Sequence, residues 1–154
     1  MRRRAAVAAL ACAATVGCGG SDAGDRPPPP RLSAAELAAG AVRQQMQAVA
    51  RGDGGTACGL LSPRALEAAD REVSGRGADL GCATAIEQGA GALPRPALSA
   101  LRRPVITRVE VRGDRARVRV ELAAGVRALA GGREAITLPL RRLDGRWRVD
   151  GLPL

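Results

Sequence analysis

Thiols and carboxylates are the side chains of this chain that could do chemistry, because histidine, tyrosine and lysine are absent. The four cysteines are Cys12, Cys18, Cys58 and Cys82, and no two of them have Cys-x-x-Cys spacing. Without histidine or that spacing, neither a metal site nor a base-activated catalytic thiol is expected, and no cofactor is predicted. The cysteines therefore indicate covalent modification or disulfide formation.

The amino-terminal segment is typical of a secretory signal peptide. Three arginines, Arg2 to Arg4, precede an uncharged, alanine-rich run from Ala5 to Val16. This run of 12 residues is too short for a membrane-spanning helix, which needs about 20 apolar residues. A basic start, a short apolar middle and small residues at the end predict that residues 1–17 are removed on export.

The end of this segment, Thr15-Val16-Gly17-Cys18, resembles the lipobox of bacterial lipoproteins. In that family the chain is cut before the cysteine and the cysteine is acylated, which implies that Gly17 is removed and that Cys18 carries lipid. Thr15 departs from the pattern, in which leucine is most common. Because two or more acyl chains anchor stably, we expect a protein on the outer surface of the cell membrane. The alternative is a secreted protein cut at Ala11-Cys12-Ala13.

Export also assigns the other cysteines. Cys12 lies in the removed segment, and Cys18 would carry the lipid. Cys58 and Cys82 then remain in an oxidising compartment, where a disulfide between them is predicted.

All 24 basic residues are arginine, and the net charge is +9. Removal of residues 1–17 would take three arginines and no acid. The abundance of glycine, alanine, arginine and proline is typical of a GC-rich genome, so a solvated arginine surface explains much of this charge. No aromatic residues interleave with the arginines to stack on bases, and nucleic-acid binding is not predicted. The functional alternative is an anion-binding or membrane-apposed surface.

The mature chain divides into a tether and a domain. Residues 18–31 are rich in glycine and proline and are predicted to be extended, whereas residues 32–154 should fold. Ser33-Ala34-Ala35-Glu36 is a capping box that opens a helix reaching about Ala50, and the turn from Gly52 to Gly55 ends it. Three further helical segments are predicted. The first is a short turn around Cys58, the second runs from Arg64 to about Val73 with Ser62 as its N-cap and Pro63 at the first helical position, and the third runs from about Ala78 to Gln88.

Alternation of apolar and polar residues predicts antiparallel strands after Pro104. In the first strand Val105, Thr107, Val109 and Val111 should share the apolar face. Gly113-Asp114 and Asp144-Gly145 are two-residue hairpin turns. They set Val109 opposite Val118, Val111 opposite Ala116, Leu140 opposite Val149 and Arg142 opposite Trp147. Pro139 predicts an edge strand or a bulge. The polar face should carry Arg108, Arg112, Arg115, Arg117, Arg119, Arg141 and Arg148.

Helices followed by an antiparallel sheet indicate an α+β fold in which the helices cover one sheet face. This order, with Arg51-Gly52-Asp53-Gly54 ending the first helix, the segment Ala57–Ser62 and the closing segment Asp144–Asp150, resembles the nuclear-transport-factor-2-like (cone-fold) superfamily. The similarity is to small exported actinobacterial lipoproteins in particular. It implies N-terminal helices packed on a curved antiparallel sheet.

Catalytic members of that superfamily use Asp, Tyr or His in the pocket, and this chain has neither Tyr nor His. The available carboxylates are Asp79, Glu87, Glu134 and Asp150, and none lies in a recognisable motif. We therefore expect a non-enzymatic, lipid-anchored envelope protein that binds a small ligand, an envelope component or a second copy of itself through the sheet. The alternative is a cone-fold enzyme of the isomerase or dehydratase type, which a buried carboxylate with a raised pKa would favour.

Overall fold

The computed structural model describes residues 31–75, 80–128 and 130–151. In chain order the elements of these residues are α1 (Ala34–Arg51), α2 (Gly54–Gly59), α3 (Pro63–Ser74), α4 (Cys82–Ala92), α5 (Arg95–Arg102), β1 (Val105–Arg112), β2 (Arg115–Glu121), α6 (Ala124–Arg127), β3 (Ala135–Leu143) and β4 (Arg146–Val149). The α+β class is confirmed. The predicted signal peptide, Gly17, Cys18 and the tether up to residue 30 lie outside the described residues.

Helix α1 begins at the predicted capping box. The Ser33 hydroxyl accepts a hydrogen bond from the Glu36 N–H, and the Glu36 carboxylate accepts one from the Ser33 N–H at 2.7 Å. These two bonds satisfy donors that every helix start leaves unpaired. The helix ends at Gly52, whose φ of 68° is accessible to glycine without a steric penalty.

The predicted disulfide is present and joins helices α2 and α4. A disulfide links Cys58 of α2 to Cys82, the first residue of α4, with the two Cα atoms 6.2 Å apart. Helix α3 begins after Ser62 with Pro63 in its first turn, again as predicted. The Ser62 hydroxyl accepts from the Ala65 N–H at 3.2 Å.

Two helical features differ from the sequence prediction. Helix α4 begins at Cys82, four residues later than predicted, because Gly81 is its N-cap and the Cys82 N–H donates to the Asp70 carboxylate at 2.8 Å. Helix α5 was not predicted. It begins directly after Pro94, where prolines fit a first turn that needs no backbone donor.

The four strands form an antiparallel meander in the order β1-β2-β3-β4. The predicted pairs are all present: Val109 with Val118, Val111 with Ala116, Leu140 with Val149 and Arg142 with Trp147. Both predicted turns connect their strands, with positive φ at Gly113, Asp144 and Gly145. Two-residue turns fix the register, which explains why the pairing could be predicted.

The first strand departs from strict alternation. A register shift lies between Ile106 and Arg108, so Ile106 pairs with Val120 on the inner face. Val105 pairs with Glu121 on the outer face and is 57% exposed. The prediction of one apolar face from Val105 to Val111 is therefore wrong at its first residues. The bulge turns the side chains that precede it to the opposite faces of the sheet.

The prediction for Pro139 is also wrong, because β3 is an inner strand with continuous pairing to β2. Within one residue of a strand, N–H and C=O point to the same side. The Pro139 carbonyl accepts from the Asp150 N–H at 2.8 Å, so its nitrogen also faces the β4 side. Strand β4 has already ended there at Val149, and the missing donor costs no ladder hydrogen bond.

The hydrophobic core lies between the helices and the inner sheet face. Helix α1 packs across β1, β2 and β4, and it buries Val42 and Met46. Trp147 is 5% exposed and is part of this core. No helix of the described residues is long and apolar enough to cross a bilayer. Because the helices occupy the inner face, the outer face of the sheet is left uncovered by the described elements.

Candidate anion-binding face

The outer sheet face brings the predicted arginines together. We call the following residues the arginine face: Arg108, Arg112, Arg115, Arg117, Arg119 and Arg141. They occupy outward positions on β1, β2 and β3, and all six are exposed. The residues that alternate with them on β2 are inward and buried in the core: Ala116, Val118 and Val120.

Like charges oppose one another across the strands of this face. Arg108 pairs with Arg119, Arg112 pairs with Arg115, and Arg115 also pairs with Arg141 on its other side. Side chains directly opposite have Cβ atoms about 4.5–5.5 Å apart, and like charges at that spacing destabilise a sheet. The face is therefore built at an electrostatic cost that a bound anion would remove.

Few acidic side chains compensate this charge. Glu110 forms an ion pair with Arg108 at 2.7 Å, and Asp114 lies 4.0 Å from the Arg141 guanidinium. The remaining four arginines form no ion pair within the described residues. Asp114 lies in the β1–β2 turn at the margin of these four, whereas Glu110 lies directly opposite Arg117 and Glu121 is the outward residue that follows Arg119 on β2.

Arg148 belongs to the outer register but not to this array. Its guanidinium donates to the Gly59 carbonyl at 2.6 Å, which fixes it against the end of α2. The sequence prediction grouped Arg148 with the polar face. The structure gives it a bonded, structural role, so we leave it out of the arginine face.

Two open depressions lie on the arginine face. One has a volume of about 360 Å³ and the other of about 170 Å³, and Glu110 and Arg117 line both. A guanidinium presents two parallel N–H donors that match a carboxylate or a phosphate. An oxyanion is therefore the kind of ligand that the guanidinium groups of this surface could bind.

A second concave site lies among the helices and was not predicted. An apolar groove of about 560 Å³ is bordered by α1, α3 and α4, next to Cys82. Its lining includes Val49, Val73, Leu80 and Ile86. The packing of three helices creates it, so no local sequence pattern could have indicated it.

The candidate catalytic carboxylates are not brought together. Glu87 is exposed on α4, Glu134 is exposed and lies 3.9 Å from Arg127, and Asp150 follows β4. None of these three lines the depressions or the groove. Asp79 lies outside the described residues.

Two carboxylates with a perturbed pKa serve as helix caps. Hydrogen bonds from the side chain and backbone of Ser33 lower the pKa of Glu36, and the hydrogen bond from the Thr56 N–H lowers that of Asp53. A lowered pKa makes a carboxylate a weaker base, which argues against a general-base role for either residue. Asp53 is also part of the tripeptide Arg51-Gly52-Asp53. In this tripeptide Gly52 is the C-cap of α1 and Asp53 is the N-cap of α2.

These caps predict an acid-sensitive stability. Because the folded-state pKa lies below the unfolded value, the stabilisation is present above the unfolded pKa and is lost as pH falls through the folded pKa. We expect urea unfolding to show a steady decrease in the free energy of unfolding between about pH 5 and pH 2. The double variant Glu36→Gln/Asp53→Asn should flatten this decrease. Glu87→Gln removes an exposed carboxylate and is the matched control; an equal flattening there would contradict the capping explanation.

No protein-family model, curated protein or solved structure matches the chain.

Proposed function

We propose that this chain is an exported, non-enzymatic protein, anchored to the outer surface of the cell membrane through Cys18, whose domain binds an anionic partner. The observation that carries the binding function is the opposition of arginines across neighbouring strands of a sheet face that the described elements leave uncovered. Such opposition weakens the folded sheet, and an oxyanion held between the guanidinium groups would compensate for that cost.

The cysteine pairing supports the anchor. The Cys58–Cys82 disulfide uses both cysteines of the domain. If Cys12 is removed with the signal, Cys18 is the one mature cysteine left for a lipid. The tether predicted for residues 18–31 would separate that lipid from the first helix.

The positions of the carboxylates support binding without catalysis. The cone-fold enzyme considered above needs an acid or base inside a pocket. Glu87 and Glu134 are exposed, and the pKa of Asp53 is lowered and not raised. We keep the cone-fold resemblance as a proposal, supported by the order of helices and strands, and do not propose an enzymatic activity.

A partner of opposite charge fits this face better than a second copy of the chain. A symmetric dimer through the outer sheet would bring two arginine faces together, and like charges at close range oppose association. We therefore propose an anionic partner in place of the homodimer.

Acylation of Cys18 is the first expectation to test. Intact-mass analysis of the full chain exported by a bacterial host should find a product that begins at residue 18 and carries two or three acyl chains. Cys18→Ala should lose both the acyl mass and the cut before residue 18, whereas Cys12→Ala should change neither. A product without acyl mass that begins near Ala13 would establish the secreted alternative.

A further inference from the structure

We propose that the arginine face lies against anionic lipid headgroups, so that charge as well as the acyl chains holds the domain at the membrane. The choice of lipid over another source of anions rests on the anchoring proposed above. The chemistry of the face itself does not depend on that anchor.

The shape of the face suits a lipid surface. Arginines project from three neighbouring strands, which are about 4.8 Å apart. They form a two-dimensional array with two open depressions of about 360 and 170 Å³. A membrane presents many phosphate groups in one plane, and an array can contact several of them at once. A single small anion would occupy only one of the depressions.

The side chains around the arginines favour lipid over nucleic acid. Proteins that bind single strands combine a basic groove with aromatic side chains on which bases stack. The one aromatic residue of the chain, Trp147, is buried on the opposite side of the sheet. Val105 instead provides an exposed apolar side chain on the outer face, at the edge strand.

The tether would allow this orientation. Fourteen residues of extended, proline-rich chain span about 3.1 Å each, so the predicted segment 18–31 could reach about 40 Å. A tether of that length would allow the sheet to face the bilayer while a lipid on Cys18 is inserted. Each arginine near an anionic surface strengthens partition about fivefold, so several arginines together give substantial binding without a deep pocket.

The test uses the mature chain from residue 18 with Cys18→Ser, so that no acyl chain contributes. The protein is floated with vesicles of neutral phosphatidylcholine, either alone or with about 30% phosphatidylglycerol as the anionic lipid. Each flotation is run at low salt and at high salt. We expect binding to the anionic vesicles only, and we expect it to weaken steeply as salt shortens the screening length.

A pair of triple variants with equal charge change locates the binding. Arg115→Gln/Arg117→Gln/Arg119→Gln removes the centre of the face and should weaken partition about 100-fold. The control is Arg43→Gln/Arg64→Gln/Arg95→Gln, which removes three exposed arginines from helices α1, α3 and α5. The control should retain most of the binding. Equal losses in the two triples would overturn the proposal, because binding would then follow net charge alone.

Two further readouts keep the test decisive. The face triple should unfold close to the temperature of the parent, since Arg115→Gln and Arg119→Gln relieve like-charge opposition while Arg117→Gln removes the opposite charge that faces Glu110. A folded variant makes the loss of binding interpretable. Inorganic polyphosphate is the competing probe. If the parent binds polyphosphate through these arginines but does not bind anionic vesicles, a soluble polyanion and not a membrane is the partner, and the lipid proposal is overturned. Because the chain is unacylated, this result is independent of the mass analysis of Cys18.

Discussion

Removing the disulfide with Cys58→Ala/Cys82→Ala should lower the free energy of unfolding by about 3–4 kcal/mol. The bond connects residues 24 apart in sequence, and in the chain-entropy model it removes a corresponding loop-closure entropy from the unfolded chain. A domain of this size is stable by only about 5–15 kcal/mol in total. Because the core contains a single aromatic side chain, the disulfide should contribute a large share of the free energy of unfolding.

The measurement is urea unfolding of the oxidised parent, the reduced parent and the double variant. The reduced parent and the double variant should agree closely, because both lack the covalent constraint. Alanine is the appropriate substitution, since Cys58 and Cys82 are each more than 90% buried and a serine hydroxyl there would require a partner. A loss below about 1 kcal/mol would mean that the unfolded chain is already compact around this loop.

Reducing conditions should therefore weaken the α2–α4 junction first. Helix α4 keeps other attachments, because the Cys82 N–H donates to Asp70 and α4 also contacts α1 and α3. The arginine face lies on the other side of the sheet from these helices. We infer that stability and anion binding can be changed separately in this protein.

Helix starts and hairpin turns could be predicted from the sequence, because each depends on interactions between residues that are close together in the chain. Ser33 and Ser62 begin helices because their hydroxyls accept backbone hydrogen bonds nearby. Asp144 and Gly145 fix the register of the last hairpin because both adopt positive φ. Alternation then places the β2 arginines outward and their neighbours inward.

Features that depend on distant packing could not be predicted in this way. The bulge after Ile106 reverses Val105 although the surrounding residues alternate. The opposition of Arg115 and Arg141 requires the β2–β3 pairing, which no short turn fixes. The guanidinium of Arg148 meets the Gly59 carbonyl 89 residues away in sequence, so its structural role is visible only in the fold.

The α2–α4 junction also depends on one glycine. A Cβ atom at Gly54 would overlap the backbone carbonyl of Ala83, in the first turn of α4. A backbone obstacle cannot rotate away as a side chain can, so Gly54→Ala should force the two helices apart. Overpacking of this kind costs about 1–3 kcal/mol. We expect the free energy of unfolding to fall by an amount near the top of that range.

Gly55→Ala is the matched control for this substitution. Gly55 is in the same helix, is exposed, and has no atom within 4 Å of a built Cβ. Alanine there should leave the stability unchanged or raise it by up to about 1 kcal/mol, since alanine is the better helix former. Equal effects at the two positions would show that helix propensity, and not the close approach to Ala83, determines the outcome.

The two perturbations of this junction should be coupled. The disulfide holds α2 against α4 at Cys58, while an added methyl group at position 54 pushes them apart. In the Cys58→Ala/Cys82→Ala background the helices can separate, so Gly54→Ala should cost less there than in the oxidised parent. A double-mutant cycle measures this difference as an interaction free energy, which for residues sharing one contact amounts to about 0.5–3 kcal/mol. Strict additivity would contradict it, and would mean that the core, and not the disulfide, holds the two helices at their observed separation.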